Sequence, residues 1–267
     1  MIDRIRIAPG TKPRLAARDA GDDLGLKDRE RAYARLDDLH VRLGTLQERL
    51  YAEARHSVLL VLQGLDASGK DGVIRKVFEG LNPQGCRVAS FKAPTSTELQ
   101  HDYLWRVHAV LPARGEIGIF NRSHYEDVVA VRLLELAPEK VWKRRPRHIV
   151  AWEQLLVDEG TTIVKVFLNV SKEEQRIRLQ ERLDDSEKRW KFRKADLEVR
   201  RRFDDYLAAY EDVIEQTSSE HAPWHVVPAD HNWVKATAVA ELLVAALERI
   251  DPQLPEPEEG LDGLVIE

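Results

Sequence analysis

The sequence predicts an α/β chain in three layers, a parallel sheet with helices on both faces. Three observations carry that expectation. From residue 57 onward, short apolar runs alternate with stretches of helical period, the pattern of βαβ units. One of these runs, Thr162 to Asn169, is rich in β-branched and aromatic residues, as a buried strand requires. A glycine-rich turn, Gly64 to Lys70, joins a strand candidate to a helix candidate. With 267 residues, 43% of them hydrophobic, the chain can bury one large core.

Taken in order, residues 1–26 hold Pro9, Gly10, Pro13, Gly21 and Gly25 among many charges, and read as an extended arm. Ala32, Leu36, Leu39, Leu43, Leu46 and Leu50 then recur at alternating spacings of four and three, an amphipathic helix with a narrow apolar seam. That seam suits packing on the chain's own sheet, the favoured reading, or a subunit contact. Ser57 to Gln63 is a buried strand, followed by the glycine-rich turn and a helix over 70–79. Strands are expected over 87–91 and 116–120, with a helix over 98–110 between them and helices over 123–136 and 139–158 after them. Gly160 is a candidate C-terminal cap. Ser171 and Glu174 match a capping box for the helix that follows Asn169. Residues 183–195 interrupt the rhythm with a basic stretch read as a lid. Val199, Phe203, Tyr206, Tyr210 and Val213 then mark one side of a helix, Trp224 to Val227 a last strand, and 231–249 a closing helix. One domain over 27–250, including the lid, is expected, with 251–267 as an acidic, disordered tail.

Composition narrows the function classes. There are 41 Lys or Arg against 46 Asp or Glu, a net charge of −5, so nucleic acid is not expected as a partner. Cys86 is the single cysteine, which excludes an intramolecular disulfide and a cysteine-based zinc cage. The longest aliphatic run, Val58 to Leu62, is too short to cross a bilayer, and the first sixteen residues are charged. A cytoplasmic protein without a membrane partner is expected.

Gly64-Leu65-Asp66-Ala67-Ser68-Gly69-Lys70 has the G-x-x-x-x-G-K spacing in its required strand-to-helix context, which makes a phosphate site the reading and a plain turn the lesser alternative. Backbone N–H groups of Gly64, Ala67, Ser68 and Gly69 would turn toward a phosphate, the helix dipole adds partial positive charge, and Lys70 supplies a full one. Asp71 stands where Ser or Thr usually binds Mg²⁺. Asp66, a carboxylate beside phosphates, is better explained by metal binding or by positioning an attacking phosphate than by a surface turn. The second segment is Ile117 to Asp127. Asn121 occupies the end of the strand where a metal-holding Asp is usual, and Arg122 could neutralise a transferring phosphoryl group. Glu126 and Asp127 follow as carboxylates; Glu126 fits equally a capping box begun by Ser123. His124 reads as a neighbour rather than a catalyst.

The third feature is charge. Residues 172–202 carry twelve Lys or Arg against eight acids, and 140–147 five basic residues and no acid. Two such runs in an acidic protein suggest a groove for a polyanion. Trp190 and Phe192, among those cations, suit either base stacking or anchoring of a mobile lid.

On these residues the sequence resembles the type 2 polyphosphate kinases. The matching segments are Gly64 to Gly72, Phe91 to Thr95, Tyr103 to His108, Phe120 to Val128, Arg182 to Phe192 and Ala222 to Pro228, in order across about 45–250. The resemblance implies a P-loop kinase-like fold with a helical, basic lid. It implies phosphate transfer between inorganic polyphosphate and adenine nucleotides, with guanine nucleotides left open, dependent on Mg²⁺ or Mn²⁺. It makes Asp66 and Lys70 the P-loop carboxylate and phosphate-binding lysine, Arg122 the arginine facing the transferred phosphate, and Arg182, Lys188 and Lys191 lid residues that hold the polymer. Many members carry Asp at the position of Asn121 and Asn at that of Glu126. The wording here resembles the subgroup that accepts AMP as well as ADP, so Glu126, with Asp127, is placed on the nucleotide. A homo-oligomer is expected. Two alternatives remain: an ATP-dependent nucleoside monophosphate kinase similar to thymidylate kinase, against which Asp71 counts, and a nucleotide-gated nucleic-acid-binding module.

Overall fold

The computed structural model describes residues 1–261, 265 and 266. The chain opens with a short helix α1 (Ile2–Ile5) and strand β1 (Arg6–Ile7), then a 3-10 turn at Leu15–Ala17 and helix α2 (Arg29–Glu53). Strand β2 (Ser57–Gln63), helix α3 (Lys70–Val77), strand β3 (Cys86–Ser90), helix α4 (Trp105–His108) and strand β4 (Ile117–Asn121) follow. Next come α5 (Glu126–Leu133), α6 (Glu139–Trp142), α7 (Arg145–Asp158), β5 (Thr161–Asn169) and α8 (Lys172–Asp184). The chain continues with α9 (Lys194–Arg201), α10 (Phe203–Thr217), β6 (Trp224–Pro228) and α11 (Asn232–Ile250). The sheet runs β1-β6-β5-β2-β4-β3, parallel throughout except for β1, which pairs antiparallel with β6. Helices α2, α3 and α11 pack on one side, and α5, α7 and α10 on the other. Among the described residues no helix is long and apolar enough to cross a membrane.

Strands β2 and β6 are buried along their whole length and β5 along most of it, which is why largely apolar runs, broken only by Lys165 in β5 and His225 in β6, announced them. Helix α2 spends its seam inside the chain: Ala32, Leu36, Leu39, Leu43 and Leu50 are buried, and the helix lies along α11. Arg35 pairs with Glu241 at 3.0 Å and Arg42 with Glu248 along that contact. Leu46 is only partly buried. Gln47 takes the inner position instead and donates to the Asn82 carbonyl at 2.8 Å.

Several elements differ from the sequence expectation. The first residues are not simply extended. Ile5, Ile7 and Leu15 are buried, and β1 covers the ladder edge that β6 would otherwise expose. The helix expected over 98–110 is reduced to a 3-10 turn at Glu98–Gln100 and the single turn α4. Here Asp102 accepts from the Leu104 N–H at 2.9 Å, a local bond that competes with helical pairing. The expected 123–136 helix starts only at Glu126, because Arg122 takes a left-handed conformation (φ +62°). Residues 139–158 divide into α6 and α7 at Pro146, whose ring is tolerated only in a first turn. The stretch 183–195, expected as a lid, contains a 3-10 turn at Arg189–Lys191 and leads into α9, and its Trp190 is 76% exposed. In the tail Pro252 is buried and the Gln253 N–H reaches Glu53 at 3.3 Å, so the described tail begins attached. The disorder expected at 262–264 and 267 lies outside the described residues.

Behind the sheet a charged pair is wholly buried. Lys165 of β5 donates to Glu153 of α7 at 2.6 Å and to the Thr217 carbonyl at 2.7 Å; Tyr125 donates to Glu153 at 2.7 Å. Burial works against the Glu153 charge, but Lys165 and His124 outweigh it and keep its pKa below the usual value. The adjacent His124 ring brings Nε2 to 3.7 Å from Glu153, without a hydrogen bond to either nitrogen among the described residues, and burial lowers its pKa.

Candidate functional site

The parallel strands end along one edge, and register places their ends side by side. Leu62 pairs with Asn121 and Gln63 with Phe167, and the Arg122 N–H extends the ladder to the Leu62 carbonyl at 3.0 Å. The glycine-rich turn and the Asn121–Asp127 segment therefore face a common crevice. Glycine is required at the turn's first position: at Gly64 (φ +151°) a Cβ would lie 2.7 Å from Ser68 Oγ and 2.9 Å from the Leu168 carbonyl. The Ser68 hydroxyl, fully buried, has no hydrogen-bond partner among the described residues. An orphaned donor inside a glycine-rich turn is what a phosphate oxygen would satisfy.

Lys70 opens α3 and is nearly buried. Its ammonium donates to the carbonyls of Gly64 at 2.7 Å and Leu65 at 3.1 Å. Burial, with Arg122 adding repulsion, lowers its pKa to about 8, while Asp66, Glu126 and Asp71 oppose the shift. Arg122 forms an ion pair with Asp66 across the crevice. Burial works against that guanidinium charge, but Asp66 and Glu126 outweigh it and push its pKa upward. Asn121 donates to Asp71 at 2.6 Å, so the amide at the strand end is tied to the carboxylate after the P-loop lysine.

Glu126 accepts from the Tyr210 hydroxyl at 3.2 Å. The Gln63 amide, turned so that its nitrogen faces the same carboxylate, donates at 3.0 Å. Burial raises the Glu126 pKa against the pull of Arg122 and Lys70. Asp127 stands apart. Arg106 holds it at 3.2 Å and Arg145 lies 3.8 Å away, so its charge ties α4 and α7 to α5. Of the residues expected in a lid, Arg182 pulls against the raised pKa of Asp196, which burial and Asp66 push upward. Lys188 pairs with Asp185 at 2.7 Å, and Lys191 lies 5.2 Å from the Trp190 ring centre. No hydrogen bond or ion pair joins Lys188 or Lys191 to the P-loop among the described residues. In the second basic run Arg145 is engaged with Asp127, while Lys140, Arg144 and Arg147 are exposed at the start of α6 and α7.

Sequence reasoning missed the groups beneath the P-loop. Gln175 donates to the Asp66 carbonyl at 3.0 Å; Arg178 donates to those of Ala67 at 3.0 Å and Ser68 at 3.2 Å. Lys235 donates to the Ser68 carbonyl at 2.9 Å. One signal was present: Lys235 is the only charged residue between Asn232 and Ala240, in the most apolar helix of the chain. Gln175 and Arg178 are hidden in a run of ordinary surface charge.

Comparison with known proteins agrees with this geometry. Residues 26–255 match the family model described as Polyphosphate kinase 2 (PPK2). The chain is 53% identical over 267 residues to an AMP/ADP-polyphosphate phosphotransferase of Meiothermus ruber, covering 100% of both chains. It is 45% identical to an ADP-polyphosphate phosphotransferase of Rhodopseudomonas palustris, covering 95% of this chain and 92% of the other. The crystal structure of polyphosphate kinase 2 from Arthrobacter aurescens TC1 superposes with a TM-score of 0.93 at 40% identity, over 97% of this chain and 93% of that one. The P-loop, the arginine across the crevice and these likenesses lead to one conclusion: the chain belongs to the polyphosphate kinase 2 family.

Proposed function

We propose that this chain moves phosphoryl groups between inorganic polyphosphate and adenine nucleotides and accepts AMP as well as ADP. The observation that carries the reading is the Arg122–Asp66 pair, which joins the P-loop to the segment holding Glu126. A phosphoryl group in that crevice would have Lys70 on one side and Arg122 on the other. Polyphosphate takes the P-loop, where the Ser68 hydroxyl and Lys70 exchange their internal situation for phosphate oxygens. Asp66, released from Arg122 as that guanidinium turns to the transferred group, positions the acceptor phosphate for in-line attack. Glu126, fixed by Tyr210 and Gln63, faces the nucleotide. Asp127 acts through Arg106 and Arg145, which it orients. Arg182, Lys188 and Lys191 descend with the lid and exclude water.

A divalent cation fits this site. Asp66 and Asp71 both act on the Lys70 ammonium, and among the described residues no group of three or more His, Cys, Asp or Glu could hold a metal unaided. That donor set suits Mg²⁺, which takes one or two carboxylates and completes its shell with water and phosphate oxygens. Bound there, it supplies charge neutralisation between donor and acceptor. A cytoplasmic location and a homo-oligomer belong to the same proposal, the latter supported by the family resemblance and not by the leucine seam, which is used within the chain.

The test is an ATP-free assay with Mg²⁺, long-chain polyphosphate and either AMP or ADP. New ADP from AMP and ATP from ADP are expected, both lost in Lys70→Ala. ATP from ADP alone would remove the AMP acceptor from the reading. Transfer to AMP only when ATP replaces polyphosphate would overturn the donor.

A further inference from the structure

Three consecutive carbonyls of the P-loop, those of Asp66, Ala67 and Ser68, are each engaged by a side chain from outside the loop: Gln175, Arg178 and Lys235. A bare carbonyl facing a polyphosphate would repel it, so which way these groups point decides whether the loop attracts an anion. In a trans peptide the carbonyl and the following N–H point in opposite directions. Drawing the Ser68 carbonyl toward Lys235 therefore turns the Gly69 N–H away from Lys235, toward the other side of the loop. The same holds for Ala67 through the bond from Gln175 to Asp66.

Lys235 is the least expected of the three. It is 1% exposed, and its ammonium donates to the Ser68 carbonyl at 2.9 Å and the Ala229 carbonyl at 3.1 Å. No carboxylate lies within ion-pair distance of it among the described residues, whereas Arg178 has Glu174 at 2.8 Å. Burying an ammonium without a contacting carboxylate is costly: burial, with Arg178 adding repulsion, outweighs the pull of Glu174 and Asp230 and lowers its pKa to about 7. The loop is shaped around it. A Cβ on Gly69 (φ +100°) would stand 2.3 Å from the Lys235 nitrogen and 2.8 Å from its ε-carbon. A side chain that only tied α11 to the loop would not need a charge.

We propose that Lys235 is a positioning residue for the polyphosphate donor: it holds the Ser68 carbonyl out of the phosphate nest and stations a positive charge behind it. The bound polyphosphate then supplies charge compensation that no carboxylate in ion-pair contact provides among the described residues. Arg178 does the same for the Ala67 carbonyl and shares that of Ser68 at 3.2 Å, but with its own counter-ion Glu174, and contributes geometry more than charge.

This inference rests on polyphosphate occupying the P-loop, and the experiment separates the two. Initial rates are measured for wild type, Lys235→Met and Lys235→Gln at saturating ADP while polyphosphate is varied, and again at several salt concentrations. The expected result is a polyphosphate KM raised about tenfold or more, with kcat and the ADP KM changed much less. The slope of log KM against log salt should also fall by about one, the signature of one lost cation. Lys235→Gln keeps a donor for the Ser68 carbonyl and carries the test if Lys235→Met fails to fold. A polyphosphate KM within twofold of wild type, an unchanged salt slope, or equal losses for both substrates would overturn the proposal. Lys70→Ala is assayed in parallel. If it kept polyphosphate turnover, the P-loop reading would fall and this inference with it, whereas a normal KM in Lys235→Gln removes this inference alone.

Discussion

Replacing Glu153 with glutamine changes one oxygen to nitrogen at the centre of the molecule, and the structure lets its cost be worked out. The Glu153 carboxylate accepts from Lys165 at 2.6 Å and from Tyr125 at 2.7 Å, with both charged side chains fully buried. Glutamine keeps the volume and one acceptor oxygen but removes the counter-charge, leaving Lys165 among neutral acceptors, which include the Thr217 carbonyl at 2.7 Å and the Tyr125 hydroxyl at 3.0 Å. Removing one partner of a buried pair costs about 3–5 kcal/mol, because the other charge stays uncompensated. Against a total of about 5–15 kcal/mol that is a large share. At roughly 2–4 °C per kcal/mol for a domain of this size, the melting temperature should fall by about 6–20 °C. Urea unfolding and a thermal melt at pH 7 read the loss directly. The deficit should shrink at higher pH: an unpaired Lys165 sheds its proton in the folded state before the unfolded chain does, so stability rises with pH. The double variant Glu153→Leu with Lys165→Met should recover most of the loss. If Glu153→Gln lay within about 1 kcal/mol of wild type, or the double variant were no better than the single, the buried pair would not be what holds this region.

Two further outcomes follow from the described contacts. His225, which shares a 3.1 Å contact between its Nδ1 and the Lys165 carbonyl, has its pKa lowered by burial from 6.5 to about 4. Its contribution is present above pH 6.5 and is lost as pH falls toward 4. Stability should therefore drop by about 3 kcal/mol over that window, and His225→Gln should flatten the drop in urea melts taken at each pH. Glu126→Gln should lower kcat/KM for AMP relative to ADP by at least about tenfold, roughly 1.4 kcal/mol of transition-state stabilisation. An unchanged AMP-to-ADP ratio would take Glu126 out of acceptor choice.

What could be read in advance was the part of the molecule governed by neighbours in sequence. The P-loop declares itself because a glycine-rich turn of seven residues sits between a strand and a helix, and β2 and β5 because strands covered on both faces need predominantly apolar runs. Asp127 was legible as a carboxylate near the site but not as the partner of Arg106 and Arg145, residues 21 and 18 positions away. Lys165 sits inside a run that reads as a plain buried strand, and only the fold reveals that Glu153 awaits it. Strand β1 was invisible for a related reason. Two residues carry no period, and their structure comes from the edge of β6. Arg178 and Lys235 were hidden because their partners are backbone carbonyls, which leave no mark in the sequence.

The antiparallel pairing of β1 with β6 bears on how the chain folds during synthesis. Arg6 and Ile7 leave the ribosome more than two hundred residues ahead of their ladder partners, His225 and Trp224. Ile5 and Ile7 must therefore wait in solvent, or in transient company, until nearly all of the sheet has been made. Closing so long a loop is slow. The edge of the sheet is expected to be the last part of this protein to become native, and the first place where an interrupted synthesis would leave sticky surface.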